Sequence, residues 1–197
     1  MVKGTAYPLR RSNVDTDQIL PARWMKRVER TGYENGLFEI WRKNSSFIIN
    51  DPERTQSSIL VAGENFGCGS SRQHAVWALR DFGIRAVISP SIADIHRGNL
   101  PQEGIVPVEL DQNILELIMD ATEANSKTVI EIDVARRTVT CEEAEVIREP
   151  FRIDNASHFN LIQGYDPIDA TLTTEEFISR HESTRNPWLP KCSPDFG

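Results

Sequence analysis

A glycine-rich loop that ends at Arg72 holds the residue types best suited to bind an anion. Its glycines, Gly67 and Gly69 among them, let the backbone approach a ligand closely. Ser70 and Ser71 offer hydroxyls at the start of a predicted helix, where free N–H groups and the helix dipole favour a carboxylate or phosphate. Arg72 adds a planar guanidinium that can bind a carboxylate through two hydrogen bonds. Together these residues predict a compact anion site.

A purely structural interpretation of the loop stays open. Gly and Ser also occur between a strand and a helix simply to turn the chain and to cap the helix. The loop lacks the Gly-Lys-Ser/Thr ending of a phosphate-binding P-loop and the GxGxxG pattern of a dinucleotide fold. A nucleotide site is therefore not expected.

Alternating strands and helices around this loop predict an α/β architecture. A short apolar run over 58–62 predicts a buried strand before the loop, and an apolar face predicts a helix from Arg72 to a C-cap at Gly83. This alternation is typical of βαβ units and a largely parallel sheet. The elements expected next are a strand over 86–89, a short helix over 92–97, a strand over 105–110 and a helix capped by Asp111.

The second half of the chain shows a different pattern, in which apolar residues alternate as in antiparallel strands. The expected elements are strands over 128–134, 137–141 and 146–153, a helix from residue 173 or 174 to 181, and an irregular tail over 186–197. We therefore predict one α/β domain over residues 1–197, with an antiparallel strand appendage and a loop over 28–36.

The composition argues against several classes of protein and several kinds of partner. The 197 residues carry a formal net charge of −7 and no stripe of Lys or Arg, so nucleic acid is not an expected partner. Neither a secretory signal nor an apolar run of ~18–20 residues is present, so we expect a cytoplasmic protein without a membrane partner. Cys68, Cys141 and Cys192 lie far apart in the sequence, so a disulfide framework or a metal site made by this chain alone is not expected.

Several blocks of the sequence together resemble one family. The string Gly-Ser-Ser-Arg-x-His-Ala at 69–75, with the loop before it, resembles the swivel domain of the aconitase superfamily. Ile-His-Arg-Gly-Asn-Leu at 95–100 and Gly-Ile-Val-Pro at 104–107 resemble that family's next block. Asn-Val-Asp-Thr-Asp-Gln-Ile-Leu-Pro at 13–21 resembles the opening motif of its isopropylmalate dehydratase small subunits. The blocks follow the family's order and spacing, and the resemblance spans about 8–176.

This resemblance implies a swivelling β/β/α fold, which is a three-layer α/β arrangement, and a role in a two-part hydro-lyase. Such enzymes move a hydroxyl between neighbouring carbons of a small dicarboxylate, in this case between 2- and 3-isopropylmalate in leucine biosynthesis. In the family, cysteines of the large subunit hold a [4Fe–4S] cluster that acts as a Lewis acid on the hydroxyl. The implied partner is therefore a large catalytic subunit, and this chain is expected to bind no cofactor itself.

The resemblance also implies roles for individual residues. Ser70 would be the base that takes a proton from carbon, aided by N–H donors and by Arg72, which stabilise the anion. Ser71 and Arg72 would bind a substrate carboxylate. Thr16 would bind substrate, and Asp17 would act in the site directly or through a neighbour, with plain turn chemistry as the alternative for Asp17.

Substrate choice in the family lies partly in the segment after the opening motif. There, Trp24 could face an apolar isopropyl group and Lys26 could pair with a carboxylate, while a core tryptophan and a solvated lysine are the alternatives. His74 could hydrogen-bond within the loop and orient it, or it could simply start the helix. We expect a structural role for His96, and we expect Cys68 to fill space in the loop.

The sequence departs from the family at Gln73, where the family usually has Glu, and an amide keeps hydrogen bonds but not the charge. The block at 95–100 also looks somewhat like that of aconitase. Two alternatives to isopropylmalate chemistry therefore stay open. One is the small subunit of a related dehydratase acting on citraconate, methylmalate or homoaconitate, and the other is a solitary swivel-fold module that binds anions.

Overall fold

The computed structural model describes residues 1–27, 29–165, 167–186 and 188. These residues form eight strands: β1 (Val2–Gly4), β2 (Ala6–Leu9), β3 (Ile59–Ala62), β4 (Ala86–Ser89), β5 (Val106–Glu109), β6 (Ile130–Asp133), β7 (Thr138–Cys141) and β8 (Val146–Pro150). They also form eight α-helices: α1 (Thr16–Ile19), α2 (Glu39–Arg42), α3 (Gln73–Phe82), α4 (Asp94–Asn99), α5 (Gln112–Ala124), α6 (Asn155–Gln163), α7 (Pro167–Leu172) and α8 (Glu175–Ser183). Two units, Met1–Gly164 and Tyr165–Gly197, divide the chain.

The central sheet is parallel, with the strand order β2-β3-β4-β5. Every residue of these strands is buried, as expected for a parallel sheet that is covered on both faces. The predicted succession of β3, α3, β4, α4 and β5 is confirmed. Gly83 ends α3 in the left-handed conformation, with a φ of 104°, as the sequence predicted.

The second sheet is antiparallel, with the strand order β1-β6-β7-β8. Its strands β6, β7 and β8 are the predicted antiparallel appendage, and β8 ends at Pro150, before the predicted limit. The strand β1 was not predicted. It pairs with β6 through partners such as Val2 and Ile132, so the N-terminus of the chain completes this sheet.

Successive residues of the central strands point to opposite faces of the parallel sheet and supply two hydrophobic clusters. Ile59 and Ile88 belong to the cluster that contains the buried residues of the antiparallel sheet and of α5. Leu60 and Val87 belong to the other cluster, together with the buried face of α3. The layers are therefore sheet, sheet and helix, which confirms the predicted β/β/α architecture.

The segment between α1 and α2 is more structured than the predicted loop over 28–36. It contains 3₁₀ turns at Ala22–Lys26 and Glu34–Gly36. Tyr33 is fully buried, and its hydroxyl donates to the carbonyl oxygen of Glu29 at 2.8 Å. Residue 28 lies outside the described residues.

The second unit contains α7 and α8. The predicted short helix is α8, which begins after Thr174, although the Thr174 hydroxyl donates to the carbonyl of Thr171 instead of capping the helix. The predicted irregular tail over 186–197 lies outside the described residues, apart from 186 and 188. The single domain over 1–197 stays a prediction. None of the described helices has the length and apolar character needed to cross a membrane.

Candidate active site

The glycine-rich loop lies between two other segments and is hydrogen-bonded to both. On one side, the amide of Gly67 donates to the carbonyl of Val14 at 2.8 Å, and the amide of Thr16 donates to the carbonyl of Cys68 at 3.0 Å. On the other side, the amide of Ala93 donates to the carbonyl of Phe66 at 2.9 Å. These backbone bonds bring the opening motif, the loop and the start of α4 together, although they are far apart in the sequence.

Helix α1 begins with a capping box that fixes the opening motif. The amide of Gln18 donates to the Asp15 carboxylate at 2.8 Å, and the amide of Asp15 donates to the Gln18 side chain at 3.1 Å. The next residue, Thr16, is buried and donates its hydroxyl to the carbonyl oxygen of Ser70 at 2.9 Å. Thr16 thus holds the backbone of the predicted base, and its hydroxyl hydrogen is already engaged in this hydrogen bond.

Asp17 and Arg72 form an ion pair across the site, with Arg72 Nη1 donating to the carboxylate. The side chain of Arg72 is 16% exposed, whereas that of Asp17 is 56% exposed. Within the described part of the chain, no other acceptor binds the guanidinium. Its other N–H groups therefore remain for a ligand, and a carboxylate fits their planar geometry.

Ser70 and Ser71 are exposed at the N-terminal end of α3, whose N-cap is Arg72. No hydrogen bond to a side chain or backbone group occupies either hydroxyl in the described residues. Because the first amides of a helix lack intrahelical acceptors, this end carries partial positive charge. Two exposed hydroxyls, a helix terminus and a guanidinium therefore belong to three consecutive residues at this end of α3, and the anion site stays a prediction.

A cavity of about 260 Å³ opens beside these residues. One wall comes from Thr16, the glycine-rich loop and Arg72, and the other comes from the start of α4. This volume lies slightly below the range of about 300–1,000 Å³ that is usual for larger ligands, so it suits a small organic acid. The described residues that line the cavity are Thr16, Gly67, Gly69, Ser71, Arg72, Ala93, Asp94, Ile95 and His96.

His96 forms part of this cavity and was not predicted as a site residue. It is only 3% exposed, its ring contacts Phe66 edge to face, and its Nε2 has no hydrogen-bond partner among the described residues. Burial lowers its pKa to about 4, so the ring is neutral at physiological pH. Gly67 has a φ of +74°, and a Cβ there would lie 2.3 Å from the His96 ring, so only glycine fits. Gly69 has a φ of +88°.

Comparison with known proteins places this geometry in a family. Residues 1–113 match the family model of the aconitase C-terminal domain. The 3-isopropylmalate dehydratase small subunit of Frankia alni is 48% identical over 189 residues, which cover 96% of this chain and 95% of that protein. The protein of the same description from Salinispora arenicola is 50% identical over 187 residues, which cover 95% and 94%. The chain belongs to the family of 3-isopropylmalate dehydratase small subunits.

A solved structure supports the same fold. The crystal structure of 3-isopropylmalate dehydratase (leuD) from Methanocaldococcus jannaschii aligns with a TM-score of 0.66, covering 91% of this chain and 98% of that one. Its sequence identity to this chain is 24%. At that identity the likeness concerns the aconitase-type swivel fold alone.

Three other side chains, those of Trp24, Lys26 and His74, were assigned to the site by resemblance to this family. Trp24 donates its Nε1 to Glu39 at 2.7 Å, and Lys26 is exposed. Neither is among the described residues that line the cavity. His74 packs edge to face against Trp77 at 4.7 Å between ring centroids. Their predicted roles in substrate binding and loop orientation stay predictions.

The described cysteines, Cys68 and Cys141, do not supply the several thiolates that an iron–sulfur cluster needs at one place. Cys141 is buried in β7, and burial raises the pKa of its thiol. Cys68 lies in the loop, and Cys192 lies outside the described residues. Among the described residues, no group of three or more His, Cys, Asp or Glu side chains is placed to hold a metal ion.

Proposed function

We propose that this chain is the small subunit of a heteromeric hydro-lyase that interconverts 2-isopropylmalate and 3-isopropylmalate in leucine biosynthesis. One observation carries the proposal most strongly. Ser71 and Arg72 line a cavity at a helix N-terminus, Ser70 is the exposed residue directly before them, and Arg72 is held by Asp17 with part of its guanidinium free. The full-length similarity to 3-isopropylmalate dehydratase small subunits supports the choice of reaction.

Binding of the substrate begins with its carboxylates. A carboxylate placed at the free edge of Arg72 would accept two charge-assisted hydrogen bonds, and the Ser71 hydroxyl would donate a third. The first amides of α3 add favourable electrostatics. Ile95 and Ala93 on the opposite wall are the apolar residues of the cavity, so they would face the branched alkyl group.

Ser70 would remove a proton from the substrate carbon. A serine hydroxyl is a weak base in water, so the site must stabilise the alkoxide that accepts the proton. The positive end of α3 and the Arg72 guanidinium supply that stabilisation. Thr16 contributes by holding the Ser70 carbonyl, which fixes the backbone from which the hydroxyl projects.

The reaction also needs a partner. When bound in such enzymes, a [4Fe–4S] cluster acts as a Lewis acid on the substrate hydroxyl, and the described cysteines of this chain, Cys68 and Cys141, do not supply its ligands. We propose that a large subunit carries the cluster and covers the open side of the site, where Ser70, Ser71 and Asp17 are exposed. We also propose that the complex is cytoplasmic and active only when both subunits are present.

Reconstitution tests this function. The chain is mixed with a cluster-loaded large subunit from the same source, complex formation is checked by size-exclusion chromatography, and absorbance of the unsaturated intermediate is followed with 3-isopropylmalate. We expect turnover with the complex and none with either subunit alone. Ser70→Ala should form the complex but lower kcat by about 10²- to 10⁴-fold, because a proton-transfer group is lost.

Ser71→Ala serves as the matched control, because it removes a neighbouring exposed hydroxyl. We expect it mainly to raise KM, since its role is to bind a carboxylate. A complex that forms but does not act on isopropylmalate would contradict the proposed substrate. Full activity of Ser70→Ala would contradict the proposed base.

A further inference from the structure

One carboxylate, that of Glu103, accepts hydrogen bonds from three side chains of α3. Gln73 Nε2 donates to its Oε1 at 3.0 Å, and Trp77 Nε1 donates to the same oxygen at 2.8 Å. Arg80 Nη1 donates to the other oxygen. Positions 73, 77 and 80 lie on one face of a helix because they are spaced by three and four residues. Glu103 therefore binds along the first two turns of α3.

The location of Glu103 makes this contact relevant to the cavity. Glu103 ends the 3₁₀ turn Pro101–Glu103, which follows α4 directly. Gln73 is the first residue of α3 and follows Arg72. The Gln73–Glu103 hydrogen bond therefore joins the residue that follows Arg72, on one wall of the cavity, to the 3₁₀ turn that follows α4, whose start forms the other wall.

The loop is anchored differently at its two ends. Its first half is held by backbone hydrogen bonds at Phe66, Gly67 and Cys68. Its last part, at Arg72 and Gln73, receives side-chain anchors in the described residues. Arg72 does not cap α3 with its own side chain, which is bound to Asp17 instead. Gln73, Trp77 and Arg80 together bind α3 to Glu103, and Gln73 is the one of these three donors that follows Arg72 directly.

We propose that Gln73 and Glu103 form a positioning pair that sets Arg72 and the serine pair against α4. This inference rests on the proposed function. It also explains why an amide at position 73 suits this chain, although the family it resembles usually has Glu there. A Glu at 73 would face the Glu103 carboxylate at hydrogen-bond distance, so the two would separate or share a proton.

The pair is tested by a double-mutant cycle on the full-length chain, with Gln73→Glu, Glu103→Gln and the combined variant. Amide hydrogen exchange of residues 70–76 at pH 7.5 reports whether the loop is held. We expect exchange about tenfold faster in Gln73→Glu, because a hydrogen bond becomes a repulsive contact. The combined variant again has one amide and one carboxylate, so its exchange should be slower than in Gln73→Glu.

Gln73→Met is the uncharged control and keeps the test decisive if Gln73→Glu fails to fold. It removes the hydrogen bond without adding charge, so it should increase exchange by a smaller factor. In the reconstituted complex, Gln73→Glu should lower kcat/KM by about 10- to 100-fold at pH 7.5, since small displacements of catalytic groups are costly. Gln73→Met should lower kcat/KM by a smaller factor, because it removes the hydrogen bond without adding a second carboxylate.

Two outcomes would overturn the pair. One is exchange in Gln73→Glu within twofold of wild type, and the other is a cycle in which the two substitutions act independently. A wild-type complex without activity on isopropylmalate would contradict the proposed function instead. The exchange measurements on the chain alone would then still decide whether Gln73 and Glu103 hold the loop.

Discussion

Acidification should destabilise this chain through His96, because the folded protein holds that ring neutral while the unfolded chain protonates it. Burial lowers the His96 pKa from an ordinary 6.5 to about 4. Below pH 6.5 the unfolded state therefore binds a proton that the folded state does not bind until about pH 4. The free energy of unfolding should fall as the pH falls through this window. The full loss is about 3 kcal/mol, since each pH unit corresponds to about 1.4 kcal/mol.

Urea unfolding followed by circular dichroism at several pH values between 7.5 and 5.0 measures this effect. Between these limits the His96 contribution should change by about 2 kcal/mol. Because other groups titrate as well, the informative quantity is the difference between wild type and His96→Phe. The phenyl ring keeps an aromatic contact to Phe66 and has no nitrogen to protonate, so the variant should lose less stability on acidification.

An exposed histidine provides the control for this prediction. His181 lies on the surface of α8, so His181→Phe should leave the pH dependence of stability unchanged. Wild-type and His96→Phe curves that run parallel from pH 7.5 to 5.0 would refute the reasoning. That result would mean that the folded protein accommodates the charged ring.

Two further substitutions test the packing that supports the site. Gly67→Ala should destabilise the fold by about 2–4 kcal/mol in urea unfolding, because its Cβ would overlap the His96 ring at a positive φ. Gly98 lies within α4, one residue before its end, and a Cβ there would meet no atom within 4 Å, so Gly98→Ala should be neutral or stabilising. Equal effects of the two substitutions would contradict this account. Arg54→Met should cost about 3–5 kcal/mol, because buried Arg54 donates to two backbone carbonyls and to a carboxylate. Arg136→Met removes an exposed ion pair and should lower the free energy of unfolding by less than about 1 kcal/mol. A similar loss of stability in Arg54→Met and Arg136→Met would contradict the stabilising role of the buried Arg54 hydrogen bonds.

The middle of the fold was predictable because its signals are local. The run at 59–62 is apolar throughout, and parallel strands covered on both faces need such runs. The helix α3 shows an apolar face, and Gly83 supplies the left-handed residue at its end. These features depend on neighbours within a few residues, so the sequence carries them without knowledge of the tertiary structure.

The N-terminal strands could not be predicted in the same way. β1 has three residues, and its partners in β6 lie about 130 residues further along the chain. β2 contains Pro8, and its partner β3 follows in the sequence only after the segment that contains α1 and α2. Helix α6 has no fully buried residue, and its apolar residues Phe159, Leu161 and Ile162 do not share one face of the helix. In each case the stabilising contacts are long-range or weak, so local patterns do not indicate the element.

The candidate site shows the same difference between local signals, which the sequence reveals, and long-range contacts, which it does not. The predicted anion site of Ser70, Ser71 and Arg72 follows from residue types, whereas the predicted role of Asp17 required the resemblance. His96 was assigned a structural role, because a lone histidine in a helix gives no sign that a glycine of a distant loop packs on its ring. The hydrogen bond from the Trp24 indole to Glu39 could not be foreseen from the sequence, and the expected place of Trp24 near the substrate stays a prediction.

The unequal exposure of Asp17 and Arg72 bears on how the proposed site could work. Arg72 is mostly buried, so its position is set by packing, while more than half of the Asp17 side chain remains in water. Asp17 can therefore keep the guanidinium oriented before substrate arrives, and solvent screening limits the strength of the pair. A substrate carboxylate that binds the free N–H groups adds charge-assisted hydrogen bonds without having to break the Asp17 contact. The groups of this chain are therefore already oriented for the substrate carboxylate, while the other side of the site is exposed to solvent. The attraction between these groups and the substrate reaches its full strength only when a partner surface excludes water from the site.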